Sequence, residues 1–168
     1  MPRVLVAPLD WGLGHATRCI PIILTLLNNG CIVIIAAYGP TKDLLQKEFP
    51  ALEFVDYRGY EMQYSRHKEW FMVKLFLQFP KLFSRVRAEK RWLKMAIEKY
   101  KLDAVISDNR LGMSNKKITS IYITHQLFIK TGNSFLNRFA QKIHYHYINK
   151  YNACWVPDWA VDENLAGE

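Results

Sequence analysis

The chain has 168 residues, the size of one domain, and half of them are hydrophobic, enough to bury a sizeable core. This composition excludes a disordered chain, a collagen-like chain and a disulfide scaffold. The formal net charge is +8, and it is concentrated: from Tyr57 to Lys101, twelve Lys or Arg stand against four Glu. Charge gathered in one stretch predicts a face that meets something anionic.

In chain order, Val4 to Pro8 is a short apolar run suited to a buried strand. A glycine-containing turn, Leu9 to His15, leads into a predicted helix from about Thr17 to Asn28, which stops at Gly30. Pro21 requires that helix to start close by or to kink. Ile32 to Ala36 is a second strand, rich in β-branched residues. Gly39-Pro40 turns the chain, and Thr41 is placed to cap a short helix ending at Glu48. Glu53 to Asp56 is a third strand.

Trp70 to Phe79 is expected to be a helix that is apolar on almost every face, broken by Pro80. Lys81 to Tyr100 is a second, two-sided helix. Leu82, Val86, Leu93, Ile97 and Tyr100 fall on one side, and Arg87, Lys90, Arg91 and Lys94 on the other. Asp103 to Ser107 is the fourth strand and ends at Asp108-Asn109-Arg110. Ser120 to Thr124 is the fifth and ends at His125-Gln126. Ser134 is placed to cap a helix running to about Lys150, and Ala153 to Pro157 is a sixth strand. Strands alternating with helices predict an α/β, Rossmann-like fold: a mainly parallel sheet of about six strands with helices on both faces. Residues 1–157 make up this domain, and 158–168 are expected to begin an interdomain linker.

Cys19, Cys31 and Cys154 lie far apart in apolar runs, which predicts buried, reduced thiols and no zinc or other metal site. The opening strand meets Asp10 too early for a secretory signal, and Ile20 to Leu27 is shorter than the ~20 apolar residues that span a bilayer. A cytoplasmic protein, soluble or peripheral, is the expectation.

Ligands of open α/β sheets bind at the carboxyl ends of the strands. Three predicted strand ends carry polar groups: Asp10, Gly12, Gly14, His15 and Arg18 after the first; Asp108, Asn109 and Arg110 after the fourth; His125 and Gln126 after the fifth. Glycines between a strand and a helix let backbone N–H groups approach an anion such as diphosphate. The spacing is neither the nicotinamide-binding G-x-G-x-x-G nor a Walker loop, so no cofactor is expected. A tight turn with His15 capping the helix is the plainer alternative. His144 and His146 are two apart on a helix and point to different faces, as ordinary side chains would.

The run Val4 to Pro8 followed by Gly12-Leu-Gly-His15 and Arg18 resembles the opening of GT-B glycosyltransferases. The nearest are those that add N-acetylglucosamine to lipid-linked muramoyl-pentapeptide. The strand ends Ile106-Ser-Asp108 and Thr124-His-Gln126 are similar to rim residues of that family's N-terminal domain. The resemblance implies an acceptor-side domain, one half of a GT-B fold, with the C-terminal donor-binding domain absent. It implies His15 as general base and a partner set of nucleotide sugar and acceptor hydroxyl. Leu13 stands where the peptidoglycan enzymes usually have glycine, which leaves the acceptor open. A sugar-nucleotide epimerase or hydrolase of the same architecture is the second possibility. The third is a non-enzymatic module for anionic surfaces, using Trp70, Phe71, Arg87, Lys90, Arg91 and Lys94 at the inner face of a membrane. Nucleic acid is not expected, since no nucleic-acid fold motif accompanies the basic pI.

Overall fold

A computed structural model describes residues 1–59, 68–125 and 134–157, giving only the backbone for 68–79 and 134–136. Six strands, β1 (Arg3–Ala7), β2 (Ile32–Ala37), β3 (Glu53–Asp56), β4 (Ala104–Asp108), β5 (Thr119–Ile123) and β6 (Ala153–Trp155), form one sheet. Its order is β3-β2-β1-β4-β5-β6, and every pairing is parallel. Four helices connect them: α1 (Leu13–Asn28), α2 (Gly39–Glu48), α3 (Lys68–Tyr100) and α4 (Ser134–Ile148).

The strands alternate strictly between two cores, because successive side chains of a strand point to opposite faces. Leu5, Ala7, Ile34, Ala36 and Val105 pack with Leu93 and Ala96 of α3 on one face. Val6, Val33, Ile35 and Ala37 pack with Ala16, Cys19 and Ile23 of α1 and Leu45 of α2 on the other. The sheet centre is therefore apolar on both sides, as parallel sheets require. Each buried Leu, Ile or Val contributes about 1.5–3 kcal/mol relative to exposure.

Four expectations are corrected. Pro80 does not break the helix; α3 runs through it for 33 residues. The exposed proline forfeits one backbone hydrogen bond, while Leu93 and Ala96 anchor later turns against the sheet and Val86 is buried. Thr41 is not a cap: α2 starts at Gly39 with Pro40 in its first turn, and the Thr41 hydroxyl is buried. The helix after the glycine loop begins at Leu13, four residues earlier than its periodicity suggests, because polar His15 and Arg18 occupy its first turns. Pro21 then lies inside it. Of the three cysteines only Cys19 is buried; Cys31 is intermediate and Cys154, on the edge strand β6, is exposed.

The chain builds β1 to β3 outward on one side of β1, then returns through α3 to place β4 on the other side. Connections leave β1 and β4 in opposite directions, which opens a crevice at their carboxyl ends.

Candidate functional site at the crevice between β1 and β4

The loop after β1 and the last residue of β4 meet at this crevice. Asp108 ends β4 and is fully buried. Its Oδ2 lies 2.9 Å from Nδ1 of His15 and accepts a hydrogen bond from Nε of Arg18 at 2.9 Å. Both partners come from the first turns of α1, where His15 and Arg18 are three apart and share a face. Nη1 of Arg18 reaches Nδ1 of His125, just past β5, at 3.0 Å. Thus one arginine ties together three strand ends.

Arg18 Nη2 also lies against His15 Nδ1, and that nitrogen cannot both donate to Asp108 and accept from Arg18. The carboxylate is buried and fixed, whereas Arg18 is the longer and more exposed partner. We assign the proton to Nδ1, facing Asp108. This tautomer leaves the lone pair on Nε2, so the ring can take a proton there. Oδ1 of Asp108 is buried without a hydrogen-bond partner among the described residues. Beneath them, burial and then the Asp108 charge push the Cys19 thiol well above its ordinary value, so it stays protonated.

The N-terminus of α1 opens onto the same crevice. It has no acidic residue in its first turn and no side-chain cap, so His15 does not cap it. Its leading N–H groups favour an anion. Gly12, before the helix, has φ 101° and ψ 161°, a conformation essentially confined to glycine. Gly14 has open space where a side chain would go.

A second cluster lies one layer deeper. Arg110 is buried, with Nε donating to the Pro8 carbonyl at 2.8 Å and Nη2 to Asp10 Oδ1 at 2.7 Å. The Asp10 carboxylate also accepts the Gly59 N–H. On the other side, Arg110 Nη1 is 3.7 Å from Oε1 of Glu89, whose Oε2 accepts the Gly112 N–H at 2.9 Å. The Arg110 guanidinium lies 5.3 Å from the Tyr57 ring centre. Burial raises the Glu89 carboxyl above its ordinary value, against the pull of Arg110 and the Gly112 N–H. Burial and then Glu89 push the Tyr57 hydroxyl up to about 12.

No family model matches the sequence, and no curated protein does. Solved structures do match. MurG of Acinetobacter baumannii superposes with a TM-score of 0.52 at 15% identity, over 92% of this chain and 40% of its own. The rhamnosyltransferase SpnG bound to spinosyn aglycone gives 0.55 at 16%, over 92% and 44%. A UDP-N-acetylglucosamine 2-epimerase gives 0.58 at 13%, over 98% and 44%. This chain has the fold of one half of a GT-B enzyme. It spans less than half the length of these neighbours.

Within this GT-B half, the structure brings together His15, Arg18, Asp108 and His125, and sets Gly12 and Gly14 at the same helix start. It turns Asp10 and Arg110 toward each other instead of toward the opening. Asn109 takes a left-handed φ of 55° and accepts from the Tyr122 hydroxyl at 3.3 Å. Gln126, the side chains of Trp70 and Phe71, and residues 158–168, expected to begin a linker, lie outside the described residues. Arg87, Arg91 and Lys94 are exposed and Lys90 partly so, all on α3. Among the described residues, no group of His, Cys, Asp and Glu could hold a metal ion, and no helix is long and apolar enough to cross a membrane.

Glu89 was missed by sequence reasoning. It is the one acid between Lys81 and Lys94, and it sits three after Val86 and four before Leu93. That spacing puts it on the apolar side of the helix, the signal that would have found it.

Proposed function

We propose that this chain is the acceptor-side half of a glycosyltransferase that moves a sugar from a nucleoside diphosphate to an acceptor hydroxyl. The observation that carries the reading is the contact between His15 Nδ1 and the buried Asp108 carboxylate. Asp108 holds Nδ1, which leaves Nε2 as the basic nitrogen. That nitrogen removes the acceptor's hydroxyl proton as the oxygen attacks the anomeric carbon and the nucleoside diphosphate leaves. Asp108 stabilises the imidazolium that forms. The open start of α1, with Arg18 beside it, suits the charge of a diphosphate. A lipid-linked acceptor would bring this domain to the inner face of a membrane in the cytoplasm, where the exposed cations of α3 suit an anionic surface.

The test is product analysis on the two-domain protein, with nucleotide sugar supplied with and without an acceptor. Sugar transfer that requires acceptor and falls in His15→Ala supports the proposal. The likeness to a 2-epimerase favours a second reading, in which the sugar nucleotide itself is the substrate. An epimerised sugar formed without any acceptor selects that reading.

A further inference from the structure

A second basic cluster involves α3 and the end of α4, where Lys90 and Lys150 approach the same tyrosine. Arg87, Lys90 and Arg91 line an open groove of about 950 Å³ on α3. From α4 and the turn after it, Tyr147 and Lys150 close in. The Lys90 ammonium lies 5.8 Å from the centre of the Tyr147 ring and that of Lys150 lies 4.6 Å from it, so two cations gather around one aromatic ring. Nζ of Lys150 is 2.7 Å from Nε2 of His146.

Like charges placed this close repel, and burial followed by the nearby Lys90 lowers the Lys150 ammonium below its ordinary value. An acid could relieve the strain, yet among the described residues no Asp or Glu pairs with Arg87, Lys90, Arg91 or Lys150. Glu89, adjacent in sequence, is turned to the opposite side of α3 and spent on Gly112 and Arg110.

We infer that the basic groove on α3, with Lys150 beside it, binds a phosphate group, with Lys90 and Lys150 as its two close donors and Arg87 and Arg91 along the groove. Ammonium and guanidinium donors satisfy the several oxygens of a phosphate, where one carboxylate would leave donors unmet. The phosphate comes either from a soluble phosphate ester or from a lipid headgroup. The inference deepens the reading that the α3 cations suit an anionic surface, but it does not need sugar transfer, since no crevice residue takes part.

The probe is inorganic pyrophosphate titrated into the 168-residue chain at constant ionic strength, followed through the ring resonances of His146 and Tyr147. Saturable shifts are expected at these two rings. The double variant K90Q/K150Q should bind about tenfold more weakly or worse, as loss of charge-assisted hydrogen bonds implies. Lys99→Gln, at the far end of α3, should bind as wild type does. Without the anion the double variant should be no less stable than wild type, because it removes a repulsion, and thermal unfolding checks that it is folded. A parallel arm uses phosphatidylcholine vesicles with and without phosphatidic acid. Binding only to the phosphatidic acid vesicles, lost in K90Q/K150Q, keeps the site and assigns its phosphate to a headgroup. Silence toward both probes, or a double variant that binds like wild type, overturns the inference.

Discussion

Asp108 is the residue on which the crevice turns, since its one bonded oxygen holds both His15 and Arg18. Asp108→Asn keeps the shape but replaces a charge with a dipole, and its amide can present N–H to the ring. The tautomer that leaves Nε2 free is then no longer enforced. In the two-domain protein, His15→Ala should lower kcat by roughly 10²–10⁴, the usual worth of a general base, while leaving the melting temperature nearly unchanged. Asp108→Asn should lower both, because Arg18 also loses its buried partner. Steady-state kinetics beside thermal unfolding separates the two, and an unchanged kcat in His15→Ala removes the base from the scheme. Glu89 gives a pH prediction at the same scale. Its ordinary value is 4.5, and the fold raises it through burial. Between those two values the folded chain holds a proton that the unfolded chain has released, so folding loses stability as pH rises through that window. Glu89→Gln cannot titrate. Wild type should therefore lose stability relative to Glu89→Gln as pH climbs from about 4.5, an ordering that urea unfolding at stepped pH reads directly.

At the scale of elements, the start of α1 joins two glycines of opposite character. Gly12 has a positive φ that an L side chain tolerates poorly, so Gly12→Ala should cost about 1–3 kcal/mol. Gly14 is helical with open space around its missing side chain, so Gly14→Ala should stabilise by about 0.4–1 kcal/mol. Denaturant unfolding of the pair should give opposite signs; the same sign would mean that the loop repacks. The strands were legible because period and length agree: β3 was read to the residue, and the other five shifted by no more than two residues at either end. Helix ends were less legible. Pro80 breaks helices in general, but the anchoring of α3 against Leu5 and Ile34 is tertiary and invisible in a local pattern. The same limit applied to the site. Each polar strand end was visible singly, and strand order alone made β1 and β4 neighbours. That Asp10 and Arg110 would face each other, with Glu89 behind them, depends on a pairing a hundred residues apart.

For the whole molecule, the decisive fact is how little of its structural neighbours these residues span. The neighbours that superpose on nearly all of this chain have more than half their length elsewhere. The described crevice presents a histidine held by a buried carboxylate, an arginine and an uncapped helix start. Transfer needs more than a base. The anomeric carbon must be held about 3 Å from the attacking oxygen, in line with its leaving group, and such positioning can supply roughly 7–11 kcal/mol of the barrier. Water must also be kept from the donor, which on the proposed reading takes a facing domain. The 168-residue chain alone should therefore bind acceptor or diphosphate weakly at its rim without turning over a nucleotide sugar. Mixed with UDP- and dTDP-sugars and candidate acceptors, it should yield no glycosylated product by mass spectrometry. Ring resonances of His15 should still move on adding diphosphate, which separates an intact but incomplete site from an unfolded one. Sustained transfer by this chain alone would mean that no facing domain is needed, and the proposal that it is an acceptor-side half would fall with that result.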